Sequence, residues 1–143
     1  IWGAIVMNGG SMPKGPAPRI LLVEDELLVA LAMQAFLENL GYADVSIAGE
    51  LSQAFLLLAH AAPDLAILDV NIGREKVFPF AAELRSRSVP FFFCTGEKPE
   101  TFPAEWQGYH VIAKPVDEAL LRSALEAFGE LVSRRDEGDV SRL

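Results

Sequence analysis

Apolar residues fall in short unbroken runs, and between the runs they recur at helical spacing. Arg19-Ile-Leu-Leu-Val23, Leu65-Ala-Ile-Leu-Asp-Val70 and Pro90-Phe-Phe-Phe-Cys-Thr95 carry the runs. Such runs read as strands buried on both faces, the kind found in parallel sheets. Val45-Ser-Ile-Ala48 alternates and predicts a short strand, and Tyr109-His-Val-Ile-Ala113 predicts a fifth. Helices are predicted over 26–40, closed by Gly41, over 51–61, stopped by Pro63, and over 77–87, with Pro79 tolerated near the first turn. The last helix is predicted over 116–135. Leu120, Leu121, Ala124, Leu125, Phe128, Leu131 and Val132 are on its apolar face. Asp117 and Glu118 at its start, and Arg134 and Arg135 at its end, complement the helix dipole. In the first helix, Leu28, Leu31, Ala32, Ala35 and Phe36 are read as the core face. Val29, Met33 and Leu37 form a second apolar stripe.

Five strands separated by helical patterns predict a parallel α/β sheet with right-handed crossovers. The expected architecture is a flavodoxin-like (βα)5 fold with strand order 2-1-3-4-5. Its fourth helix is expected to be short or missing, because segment 96–108 carries Pro99 and Pro103 and no sustained helical period. Trp106 is expected to pin that segment to the core. Residues 71–76 predict a turn, with Gly73 free to take positive φ.

At 143 residues the chain is long enough for one full hydrophobic core and not for two. The expected division is an N-terminal arm over 1–18, rich in Gly and Pro after Met7, an ordered domain over 19–135, and a frayed tail over 136–143. Met12 is expected to be the natural start, with cloning residues before it. A net charge of −8, from 20 acids and 12 bases, argues against nucleic acid as the main partner. The apolar runs are too short to span a membrane. A single cysteine, Cys94, excludes an internal disulfide and reads as a small buried hydrophobe, so a reducing cytoplasm is the expected setting.

A parallel sheet places several polar residues on one edge: Glu24 and Asp25 after strand one, Asp69 after strand three, Thr95 ending strand four and Lys114 after strand five. Carboxylates gathered this closely repel one another unless a cation sits among them, and Mg²⁺ prefers oxygen ligands of this kind. With a lysine and a hydroxyl beside them, the set suits an incoming phosphoryl group that Asp69 attacks in line. Any one of these acids alone is more often a turn former or helix cap.

Ile20-Leu-Leu-Val-Glu-Asp-Glu26, Pro63-Asp-Leu-Ala-Ile-Leu-Asp69, Thr95 and Lys114-Pro115, in this order and at these spacings, resemble the receiver domain of two-component response regulators. The resemblance covers residues 19–135. It implies that Asp69 is the phosphoacceptor and that Thr95 and Lys114 bind phosphoryl oxygens. It also implies Mg²⁺ held by Asp25 and Asp69, by Glu24 largely through water, and by the backbone carbonyl of Asn71. A histidine kinase or histidine phosphotransfer protein would be the donor, an unidentified downstream protein the target, and Val29, Met33 and Leu37 the kinase-docking stripe. The protein would be a regulator rather than a metabolic enzyme. The alternatives are a pseudo-receiver that binds partners without phosphate, and a small phosphotransferase or phosphatase using an aspartyl-phosphate. The stretches from Asp69 to Pro79 and from Phe91 to Gly96 are similar to the FAT GUY group of receivers, with Cys94 and Glu97-Lys98 as departures. Typical receivers carry Tyr or Phe three residues before the lysine. Val111 stands here, so coupling is expected to differ, and phosphorylation is expected to reorder segment 96–108.

Overall fold

The computed structural model describes residues 17–136. Most of the expected arm and tail, and the side chains of Leu131, Val132, Arg134 and Arg135, lie outside what is described. Five parallel strands form the sheet: β1 (Arg19–Val23), β2 (Asp44–Ala48), β3 (Leu65–Leu68), β4 (Phe91–Thr95) and β5 (Val111–Ala113). Their order is β2-β1-β3-β4-β5, as the sequence predicts. The helices are α1 (Leu27–Asn39), α2 (Leu51–His60), α3 (Phe78–Ser86) and α4 (Glu118–Asp136). Ile20, Leu22, Ile67 and Phe92 face a layer that contains α1 and α4, while Leu21, Val23, Leu68 and Phe93 face α2, α3 and segment 96–108. Alternate residues of each strand thus feed two cores, which is why the central strands are apolar throughout.

Segment 96–108 contains only two short 3-10 turns, Pro99–Thr101 and Ala104–Trp106. Phe102 and Trp106 are buried there and fill the space over β4. Trp106 stacks on Phe78 at 5.9 Å and carries the Arg85 guanidinium 4.3 Å from its ring centroid. Tyr109 lies outside β5, stacked on Phe91 at 5.0 Å. The expected turn at 71–76 is a small antiparallel hairpin, with Asn71 opposite Lys76 and Ile72 opposite Glu75. Gly73 takes φ 63° at the first position of its two-residue loop, where hairpin turns favour glycine.

The two faces of α1 are the reverse of the expectation. Met33 and Leu37 are 2% and 0% exposed, and Val29 is half-buried against the same core, so this stripe cannot be a docking surface. Leu28 is 81% and Leu31 46% exposed, and Ala32 and Ala35 also face outward. Only Phe36 of the expected core face packs inward, and it does so partly. Ala30, Met33 and Leu37 recur at helical spacing on the buried side, where the small side chain of Ala30 allows close approach to the sheet. Leu120, expected in the core, is likewise exposed on α4.

Candidate functional site

The carboxyl ends of the strands lie level. The Asp69 amide donates to the Val23 carbonyl at 3.0 Å, and the Lys114 amide to the Thr95 carbonyl at 3.0 Å. This register gathers Glu24, Asp25, Asp69, Thr95 and Lys114 at one edge. Glu24, Asp69 and Thr95 are 3%, 8% and 1% exposed, while Asp25 is open to solvent. Lys114 Nζ donates to Asp69 Oδ2 at 2.7 Å and also to Glu24 Oε1. The Glu26 amide donates to Glu24 Oε2 at 3.1 Å. The Gly73 amide donates to Asp25 Oδ2 at 2.8 Å, which ties the 71–76 hairpin to the site.

Burial pushes the Glu24 carboxyl above its usual range, against the opposing pull of the Lys114 hydrogen bond. For Lys114, burial works against the charged form, but hydrogen bonds to Asp69 and Glu24 outweigh it and raise its pKa. Lys114 is therefore a fixed cation. Oxygens of Glu24, Asp25 and Asp69 lie within 4.8 Å of one another. Asp69 Oδ1 and Asp25 Oδ1 accept no hydrogen bond from the described residues, and Asp25 is open to solvent. An all-oxygen set with two uncommitted carboxylate oxygens fits a hard divalent cation.

A second layer surrounds this edge. Glu97 donates its amide to Thr95 Oγ1 at 3.2 Å. Its Oε1 accepts from Asn71 Nδ2 at 2.9 Å and from Lys76 Nζ at 2.8 Å, and these two bonds hold its carboxyl below the usual range. Lys76 also donates to Asn71 Oδ1. In the sequence, Glu97 stands out as a departure from the FAT GUY pattern, and Lys76 carries no signal of its own. No spacing rule links hairpin position 76 to position 97. The motif residue Asn71 is bonded to both.

Cys94 is buried beside this edge, and burial pushes its thiol from 9.0 up to about 11. A raised folded-state value means the native protein holds its proton longer than the unfolded chain does. Stability is therefore expected to fall as pH rises through that interval. Urea unfolding just below pH 9.0 and near pH 11 measures the fall, and Cys94→Ala should make it shallower. An unchanged slope in the variant would exclude the thiol as a source.

A family model described as the response regulator receiver domain matches residues 20–126. The uncharacterized transcriptional regulatory protein YvcP of Bacillus subtilis is 32% identical over 86% of this chain and 52% of its own length. The chain thus spans about half the length of the curated relatives it matches. The solution structure of SdrG from Sphingomonas melonis is 34% identical over 78% of this chain and 96% of its own, with a TM-score of 0.69. The receiver domain of PhyR from Erythrobacter litoralis superposes with a TM-score of 0.69 at 23% identity, over 78% of this chain and 89% of its own.

Proposed function

From the premise that the chain belongs to the response regulator receiver domain family, we propose that it is a phosphorylation-dependent switch that accepts a phosphoryl group on Asp69. The observation that carries this reading is the Asp69 carboxylate at the end of β3, bonded to Lys114 and grouped with Glu24 and Asp25. An Asp69 oxygen attacks the phosphorus of a phosphohistidine, the O–P bond forms, and the N–P bond breaks with the electron pair leaving on the imidazole. Lys114 neutralises the phosphoryl oxygens, and Thr95, held by the Glu97 amide, offers its hydroxyl to them. Mg²⁺ bound by Asp25, Asp69 and the Asn71 carbonyl, with Glu24 acting largely through water, would supply further charge neutralisation.

Labelling with a small phosphodonor tests the reading. One stable phosphoryl group is expected per chain, dependent on Mg²⁺ and absent in Asp69→Ala. No labelling of the unaltered chain would favour the pseudo-receiver, and turnover of an external substrate would favour a phosphotransferase.

The donor's docking surface is the outward face of α1, with Leu27, Leu28 and Leu31, rather than the buried stripe. A contiguous apolar patch of this kind at the end of the helix nearest the site suits a helical partner. Leu28→Glu is expected to slow transfer from a phosphohistidine protein at least about tenfold, a loss of ~1.4 kcal/mol. Labelling by the small donor should be unchanged. Equal slowing by both donors would place the fault in the site rather than in docking.

A further inference from the structure

The switch reading leaves a gap between Asp69 and segment 96–108, because position 111 holds a valine and the Tyr109 ring is stacked on Phe91 instead. Another connection spans that gap. Glu97 has two carboxylate oxygens with separate duties. Oε1 is held by the hairpin, through Asn71 Nδ2 and Lys76 Nζ. Oε2 lies 3.5 Å from Thr101 Oγ1, a secondary contact beside the 2.7 Å bond that this hydroxyl donates to the Lys98 carbonyl, in the first 3-10 turn of segment 96–108. The Glu97 amide contacts Thr95. One residue therefore touches three places: its carboxylate meets the hairpin beside Asp69 and the segment beyond, and its backbone amide meets Thr95.

Lys76 is the exposed partner in this arrangement. Its side chain is 55% exposed, so it is held by charge rather than by packing. It is attached two ways, to Glu97 Oε1 and to the side chain of Asn71, two residues beyond Asp69. An exposed lysine–carboxylate pair is worth at most about 1 kcal/mol. A phosphoryl group carries close to two negative charges and three strong acceptor oxygens. When such a group arrives beside Asn71, it outcompetes a single carboxylate for a lysine ammonium within reach.

We propose that Lys76 is a shared cation: Glu97 holds it in the unphosphorylated protein, and the phosphoryl group on Asp69 draws it away, which releases Glu97 and loosens Thr101 and segment 96–108. The proposal rests on Asp69 being the phosphoacceptor. Lys76 is thereby a positioning residue that reports the state of the site. The usual aromatic lever is replaced by an ion-pair exchange at the mouth.

Trp106 supplies a spectroscopic readout, because it is buried in the segment that would loosen. The chain has two tryptophans, so Trp2→Phe makes Trp106 the single reporter. In that background, the phosphoryl mimic beryllofluoride with Mg²⁺ is titrated and Trp106 fluorescence is followed beside hydrogen exchange over 96–108. The expected result is a fluorescence change and lower protection on mimic binding. Lys76→Met should bind the mimic, begin with the segment already loosened, and show little further change. Glu97→Gln, which weakens the same pair from the other side, should behave alike. Lys76→Arg, which keeps the charge, should restore the response. A mimic response in Lys76→Met equal to that of the parent overturns the exchange while leaving the phosphoacceptor assignment intact. Failure of the parent to bind the mimic, judged by ¹⁹F NMR, overturns the phosphoacceptor reading and the exchange with it.

Discussion

Lys114→Met is expected to reduce phosphoryl labelling about 100-fold or more, the scale of losing one preorganised charge donor at a reacting centre. The same substitution should cost about 3 kcal/mol of unfolding free energy, at the low end for breaking a buried pair by removing one partner. Lys114 Nζ is bonded to both Asp69 and Glu24, and those side chains are 10% and 3% exposed. Without the lysine, three neighbouring carboxylates keep their mutual repulsion, and Glu24 and Asp69 lose the one ammonium bonded to them among the described residues. The cost has a signed pH dependence. The raised value of Lys114 means its stabilisation is complete below the ordinary lysine value and is lost only as pH climbs above it. At the acid end the gap between parent and variant should narrow, because Glu24 is already raised by burial and can take up a proton to relieve the crowding. Urea unfolding of both proteins across the carboxylate range measures this. A gap that stays constant into acid would mean that packing, not charge, is what the lysine contributes. Mg²⁺ should restore part of the stability of Lys114→Met, since it neutralises the same oxygens.

Trp106→Ala is expected to destabilise the fold by about 3–5 kcal/mol, the range for truncating a large aromatic in a packed core. The residue is 3% exposed although it sits in a segment with only two 3-10 turns. It packs on Phe78, Phe91, Phe93 and Tyr109 and lies under Arg85, which is also paired with Glu105 of the same segment. With Phe102 it takes the place a fourth helix would fill. Removing the indole leaves a cavity between α3 and β4 and frees segment 96–108 from that side. Hydrogen exchange there should rise well beyond the global change, and Trp106→Phe should recover most of the stability. A loss below about 1 kcal/mol would show that the segment is surface rather than core.

Much of the candidate site is legible in the sequence. Asp69 ends an apolar run, and a carboxylate at such a place must find partners, so the strand edge was the natural place to look. Glu24, Asp25, Thr95 and Lys114 each end or follow another strand, and parallel strands in register bring their ends together. Pro99 and Pro103 announced the broken segment, and the burial of Phe102 and Trp106 follows from their being the large apolar residues there.

The orientation of α1 was not legible. Leu27 to Leu37 is apolar at nearly every position, so periodicity offers two stripes and no means of ranking them. Which stripe turns inward depends on how the β1–α1 connection delivers the helix onto the sheet, a long-range constraint that helical spacing does not encode. The Lys76–Glu97 pair is of the same kind. Its members lie 21 positions apart in sequence, in a hairpin and in a loop. The chain alone marked the strands and the polar residues at their ends, because buried strands and strand ends are local patterns, and the alternation of strands with helices pointed to their order. Only the tertiary structure decided which face of α1 is free and which charges meet at the mouth, because those depend on distances between elements that no local pattern records.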